Sequence, residues 1–111
     1  MTRCVADRWY WENGEITLYL SVFGHADYAE TGKDIVCSAV SCLCTSLANT
    51  LIEYGVPKEC FRLQEGRFLL NALITKNTKL CEGAFDMASI GLKMIADQYP
   101  THVFFVRGES H

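Results

Sequence analysis

Between Ile16 and Phe23 apolar and polar side chains alternate one for one, with Ile16, Leu18, Leu20 and Val22 on one side and Thr17, Tyr19 and Ser21 on the other. That period of two predicts a half-buried strand. Glu12-Asn13-Gly14-Glu15 just ahead of it carries the Asn-Gly signal of a hairpin turn, so Arg3 to Tyr10 is expected to be its partner strand. From Ile35 the period lengthens. Val36, Val40, Leu43, Leu47 and Leu51 recur at helical spacing to about Tyr54, where Gly55-Val56-Pro57 supplies a stop. Phe61 to Glu65 and Arg67 to Ile74 read as a short hairpin about Gly66. A second helix over Glu82 to Tyr99 carries Phe85, Ala88, Leu92, Ile95 and Tyr99 on one side and ends at Pro100; His102 to Arg107 then reads as a closing strand.

The order ββαββαβ predicts an α+β fold of two layers: a mixed or antiparallel sheet with both helices packed on one face. At 111 residues the chain suits one core, so residues 1–111 are expected to form a single domain. Helices on one side leave the opposite sheet face needing cover, which a homodimer would supply. Ten basic and thirteen acidic side chains, net charge −3, are spread along the chain with no basic patch, which argues against direct contact with nucleic acid. The start, Met1-Thr2-Arg3-Cys4-Val5-Ala6-Asp7, lacks the basic and apolar regions of a signal peptide, so six cysteines fit a reducing cytoplasm better than a disulfide scaffold. No apolar run is read as long enough to cross a bilayer, and no membrane association is expected. Cys-x-x-Cys pairs are absent and Cys42 and Cys44 diverge on a helix, so neither a metal nor another cofactor is expected.

The candidate chemistry lies between the second strand and the first helix. His25 follows Gly24 just beyond the strand, and Cys37 opens the helix twelve residues later. Asp34 is placed to cap that helix, accepting from the amides of Val36 or Cys37 and putting the cysteine in the first turn. There unpaired amides and the macrodipole favour a thiolate, and an imidazole in reach can take the thiol proton and later deliver one to a leaving amine. Ser41 lies one turn further on, where it can hold the thiol's rotamer or a substrate carbonyl. The loop from Gly24 to Lys33 carries Gly24, Asp27, Glu30 and Gly32. With Asp34 it is acidic, and it is expected to order over a bound peptide.

Gly24-His25-Ala26, a loop ending Gly32-Lys33-Asp34, then Ile35-Val36-Cys37-Ser38-Ala39-Val40-Ser41 resembles the ribosomal-processing cysteine protease (Prp) family. The likeness extends through the order of elements to Gln98-Tyr99-Pro100 before the last strand. Phe23 and Ser38 depart from the residues usual there, and Cys42 and Cys44 are additional. The resemblance implies a cytoplasmic endopeptidase that removes a short N-terminal extension from the precursor of large-subunit ribosomal protein twenty-seven. It implies His25 as base and Cys37 as nucleophile, with Asp34 and Ser41 as motif positions beside them. Two other readings stand beside it. One is a non-catalytic dimeric module that binds ribosomal protein or assembly factors through the same groove. The other is a thiol redox protein using Cys37, Cys42 and Cys44. A cysteine on a helix is also commonly a small buried hydrophobe, and a loop histidine a backbone-bonded one. The remaining cysteines, Met87, Met94, His102 and His111 are assigned no chemistry; Trp9 and Trp11 are expected to form an aromatic patch on one strand face.

Overall fold

The turn at Asn13-Gly14 returns the chain so that β1 (Thr2–Tyr10) pairs antiparallel with β2 (Ile16–Phe23), Tyr10 facing Ile16 and Arg3 facing Phe23. The computed structural model describes residues 1–30 and 34–108. After β2 come α1 (Ile35–Glu53), a 3-10 turn at Lys58–Cys60, β3 (Phe61–Gln64), β4 (Arg67–Ile74), α2 (Thr78–Gln98) and β5 (Val103–Arg107). The sheet runs β3-β4-β2-β1-β5, antiparallel throughout except where β5 joins β1 in parallel. The expected two-layer α+β order is therefore the observed one.

Alternation decides which side of the sheet is dry. Ile16, Leu18, Leu20 and Val22 of β2 and Phe68, Leu70, Ala72 and Ile74 of β4 are all buried, and Cys4 and Ala6 continue the face across β1. Onto it pack Val36, Val40, Cys44, Leu47 and Leu51 of α1 and Cys81, Phe85, Ala88 and Leu92 of α2. The opposite face keeps Val5, Phe23, Leu73, Phe104 and Val106 between 39% and 56% exposed, with the guanidinium of Arg67 over the ring of Phe23. By length and composition α1 does qualify as a membrane-crossing helix, contrary to the sequence reading. Its apolar content is raised by residues such as Ile35, Ala39 and Cys42, which lie exposed off the buried stripe, and the stripe itself packs on the sheet.

The sequence misses several boundaries for local reasons. Gln64 pairs with Arg67, so Glu65 and Gly66 are the two turn residues, and Glu65 falls outside β3. Helix α2 starts at Thr78, a turn before Glu82, because Cys81 alone in that turn faces the core and the residue before the helix, Asn77, spends its side chain on the carbonyl of Tyr54 instead of capping. Glu82 is committed across the layers. Arg8 of β1 forks onto Glu82, at 2.6 Å, and Asp86, with its guanidinium over the ring of Phe85. Trp11 lies just beyond the end of β1, and its indole N–H donates at 2.9 Å to Thr17 Oγ1, the residue that pairs with Trp9 across the strands, so the two indoles lie on the same side of the sheet.

Candidate active site at the head of the first helix

Asp34 shapes this region through both oxygens of one carboxylate. Oδ1 accepts from the amides of Val36 at 3.0 Å and Cys37 at 2.9 Å, as the capping pattern predicts. Oδ2 reaches the other way and accepts from Tyr28 at 2.9 Å and Ala29 at 3.4 Å. The cap of α1 is thus also the anchor of the preceding loop. Burial alone would raise the pKa of this group, but the amides of Cys37, Ala29 and Tyr28 outweigh it and hold the carboxyl below its ordinary range. Asp34 is buried, so it contributes no acidic surface, contrary to the expectation for this loop.

The thiol of Cys37 sits at this junction, half-buried, with Ala26 donating its amide to Sγ at 3.3 Å. Its proton is held more tightly than in an ordinary cysteine. Burial is the largest cause, the charge of Asp34 and its hydrogen bond with the thiol add to it, and the amides of Ala26 and Asp27 only partly offset them. The direction is opposite to the thiolate expected at a helix start. The same carboxylate that caps the first turn sets a negative charge beside the sulfur, which works against the helix end.

His25 is exposed at the end of β2, and its imidazole lies against the β3–β4 turn. A Cβ on Gly66 would stand 2.8 Å from His25 Nε2, and one on Gly24 would stand 2.5 Å from the carbonyl of Met1; both glycines also have positive φ. Gly24 donates to the carbonyl of Gly66 at 2.8 Å, tying the root of the histidine to the turn its ring covers. Among the described residues no hydrogen bond joins His25 to Cys37. The two side chains meet instead across solvent, lining together one cleft of about 380 Å³ and a second of about 340 Å³. The first has apolar walls from Val22, Val40, Leu63 and Phe68; the second adds Asp27, and Glu65 lines both.

Ser41 lines both clefts beside Cys37, whose sulfur accepts the amide of Ala26. Gly24 is structural in the way described. Asp27 pairs at 3.4 Å with the amino group of Met1, and Glu30 is exposed on the loop. Gly32 and His111 lie outside the described residues, as does the part of the loop, 31–33, on which closure over a peptide would depend. The preceding stretch is tied down, by Gly66, Cys37 and Asp34 and by His102, whose Nδ1 lies 2.8 Å from the carbonyl of Ala26. Gly66, Glu65 and His102 were not read as site residues. Gly66 was legible only as a turn, and nothing in the sequence spacing brings residue 102 to residue 26. Cys42 is exposed and Cys44 buried, and Cys44 lies two helical turns, roughly 10 Å, along the axis from Cys37. A disulfide between them does not fit that separation.

With this geometry in hand, comparison with known proteins is direct. The family described as "Cysteine protease Prp" matches residues 6–104. A curated protein of Mycoplasma genitalium, "Ribosomal processing cysteine protease Prp", is 34% identical over 95 residues, covering 77% of this chain and 83% of the relative. Among solved structures, the essential ribosomal processing protease Prp from S. aureus superposes with a TM-score of 0.74 in its complex with a covalently linked product peptide, at 20% identity, covering 95% of this chain and 99% of that one. Its complex with a substrate peptide gives 0.71, also at 20% identity, covering 97% and 100%. The structural matches carry the fold; the family match and the curated relative carry the membership. A sheet with two helices on one face, and a cysteine in the first turn of the first of them, belong here to a member of the Prp family of cysteine proteases.

Proposed function

We propose that this protein is a cysteine endopeptidase in which Cys37 is the nucleophile and His25 the general base, acting on the precursor of large-subunit ribosomal protein twenty-seven in the cytoplasm. The observation that carries the proposal is the sharing of one cleft by the exposed imidazole and a sulfur that accepts a backbone amide. The relative named as a ribosomal processing protease and the peptide complexes of the S. aureus protein support the substrate class.

Burial and the charge of Asp34 favour the protonated sulfur, which suits proton transfer to His25 during attack. His25 takes the proton as Sγ bonds to the scissile carbonyl carbon. The carbonyl electrons move onto oxygen, where each backbone N–H donor that faces it is worth about 3 kcal/mol; the amides of Val36 and Cys37 are already given to Asp34. Collapse of the intermediate breaks the C–N bond, with His25 protonating the departing amine. Water, deprotonated by His25, then bonds to the acyl carbon; the C–S bond breaks, the acid product leaves and the proton on His25 returns to sulfur. The apolar walls of the larger cleft suit apolar side chains of an extended segment, and Asp27 and Glu65 suit a basic residue beside the cut.

Incubation with the precursor tests this. The wild type is expected to shorten it, Cys37→Ala and Cys37→Ser to leave it intact, and His25→Ala to slow cleavage by about 10²- to 10⁴-fold. Cleavage that persists in both cysteine variants excludes this sulfur as the nucleophile; intact precursor with wild-type protein, alongside binding, favours a non-catalytic module. The exposed apolar residues of the sheet face away from the helices support a homodimer, which sedimentation at micromolar concentration would detect.

A further inference from the structure

His102 belongs to no catalytic pair and enters the fold just before β5, yet its ring touches the loop that holds the nucleophile. Its backbone is fixed on both sides: the amide donates to Tyr99 at 2.9 Å, and the carbonyl accepts from Thr2 at 2.9 Å. The ring is fixed too, packed edge-on against Tyr28, centroids 5.4 Å apart at 80°, and Tyr28 in turn packs against Tyr99 at 5.3 Å and 80°. A carbonyl oxygen only accepts, so the 2.8 Å contact with Ala26 requires the hydrogen on Nδ1.

The bonded oxygen belongs to the peptide joining Ala26 to Asp27. In a trans peptide the N–H points opposite to the C=O, so a donor that grips this oxygen aims the Asp27 amide away from His102. Ala26, one residue earlier, donates to Cys37 Sγ at 3.3 Å. Asp27 has a positive φ of 56°, which turns two successive amides to one side and leaves those of Tyr28 and Ala29 for Asp34. Donation to the carbonyl also polarises the peptide and strengthens its N–H as a donor.

We propose that His102 is a positioning residue for the reaction: by holding the Ala26 carbonyl it sets the Ala26–Asp27 amides against the sulfur of Cys37 and the charge that develops beside it. The proposal rests on Cys37 as nucleophile for its catalytic consequence, but its chemistry is readable without turnover.

Iodoacetamide labelling of Cys37, followed peptide by peptide so that exposed Cys42 is scored separately, is measured with His102→Ala, His102→Asn and His102→Gln. The Asn amide nitrogen occupies the place of Nδ1, whereas that of Gln falls at Nε2. His102→Ala and His102→Gln are expected to label Cys37 about fivefold more slowly at neutral pH, the effect of one lost hydrogen bond, and His102→Asn to come within twofold of wild type. In precursor cleavage the same two variants lower kcat by about fivefold with KM within twofold, and Asn restores kcat. Equal labelling and equal kcat in folded His102→Gln overturn the proposal, as does failure of folded His102→Asn to restore either. Nitrogen-15 spectra of the wild-type ring give an arm that needs no variant: hydrogen on Nδ1 at neutral pH is expected, and hydrogen on Nε2 alone overturns the proposal. If precursor is cleaved without Cys37, the proteolytic reading fails while the labelling result still decides the contact.

Discussion

Substituting Asp34 separates two roles that one carboxylate performs. Ala at this position removes the acceptor for the Val36 and Cys37 amides, a cap worth about 1 kcal/mol. It also leaves the Tyr28 amide without a partner, at a cost of about 1–3 kcal/mol. The expected total for Asp34→Ala is about 2–4 kcal/mol, a fall in Tm of about 10–20 °C for a chain of this size. Ser at the same position reaches its own helix but is too short to span to Tyr28 and Ala29. Asp34→Ser should therefore retain the cap, lose about 1–2 kcal/mol, and yet cut cleavage about tenfold, because the loop bearing the Ala26 amide is no longer anchored. Thermal melts and precursor cleavage of the two variants measure this. The pH dependence has a defined sign. Asp34 is held below the ordinary carboxyl range, so its contribution is complete above the unfolded value near about pH 4 and disappears as pH falls through the folded one. The gap in Tm between wild type and Asp34→Ala should narrow in acid. Wild-type cleavage by Asp34→Ser, or a Tm gap that does not change with acid, would refute the reasoning.

Gly66→Ala is expected to reduce cleavage at least tenfold while costing about 1–2 kcal/mol, since the new methyl meets His25 Nε2 at 2.8 Å and the backbone has φ of 69°; unchanged kcat/KM with a lowered Tm would show that the ring is free to move aside. Ser89 is fully buried in α2 with its hydroxyl lacking a hydrogen-bond partner among the described residues, so Ser89→Ala should raise stability by about 1 kcal/mol, read in urea unfolding as a higher midpoint at the same slope. Alkali should weaken the fold. Burial pushes the thiols of Cys4 and Cys44 up to about 12, so they stay protonated in the folded protein while the unfolded chain loses those protons near about pH 8.5, and stability falls between the two values. Melts across that interval check it, and a Tm as high at pH 10 as at pH 8 contradicts it.

Much of the architecture was legible because side-chain period and burial agree. Ile16 to Val22 alternate and are buried in alternation, and the α1 stripe from Val36 to Leu51 is the stripe that packs. Asp34 was legible as a cap because capping is local, read within three residues. Its second pair of acceptances, from Tyr28 and Ala29, was not, because it depends on how the loop folds back. The same holds for the raised proton affinity of Cys37: helix position argued for a thiolate, and only coordinates show burial and the Asp34 charge prevailing. Arg8 shows the reverse case. It occupies a core-facing place on β1, which alternation would give to an apolar residue, and is accommodated by Glu82 and Asp86 on a different element.

The contact between His102 and the Ala26 carbonyl spans 76 residues of chain. During synthesis Cys37 and His25 emerge early, but the ring that steadies the loop between them is translated only after both helices. A nascent chain therefore carries Cys37 and His25 before it carries the ring that grips the Ala26 carbonyl, and that contact closes only when the end of the sheet has been delivered.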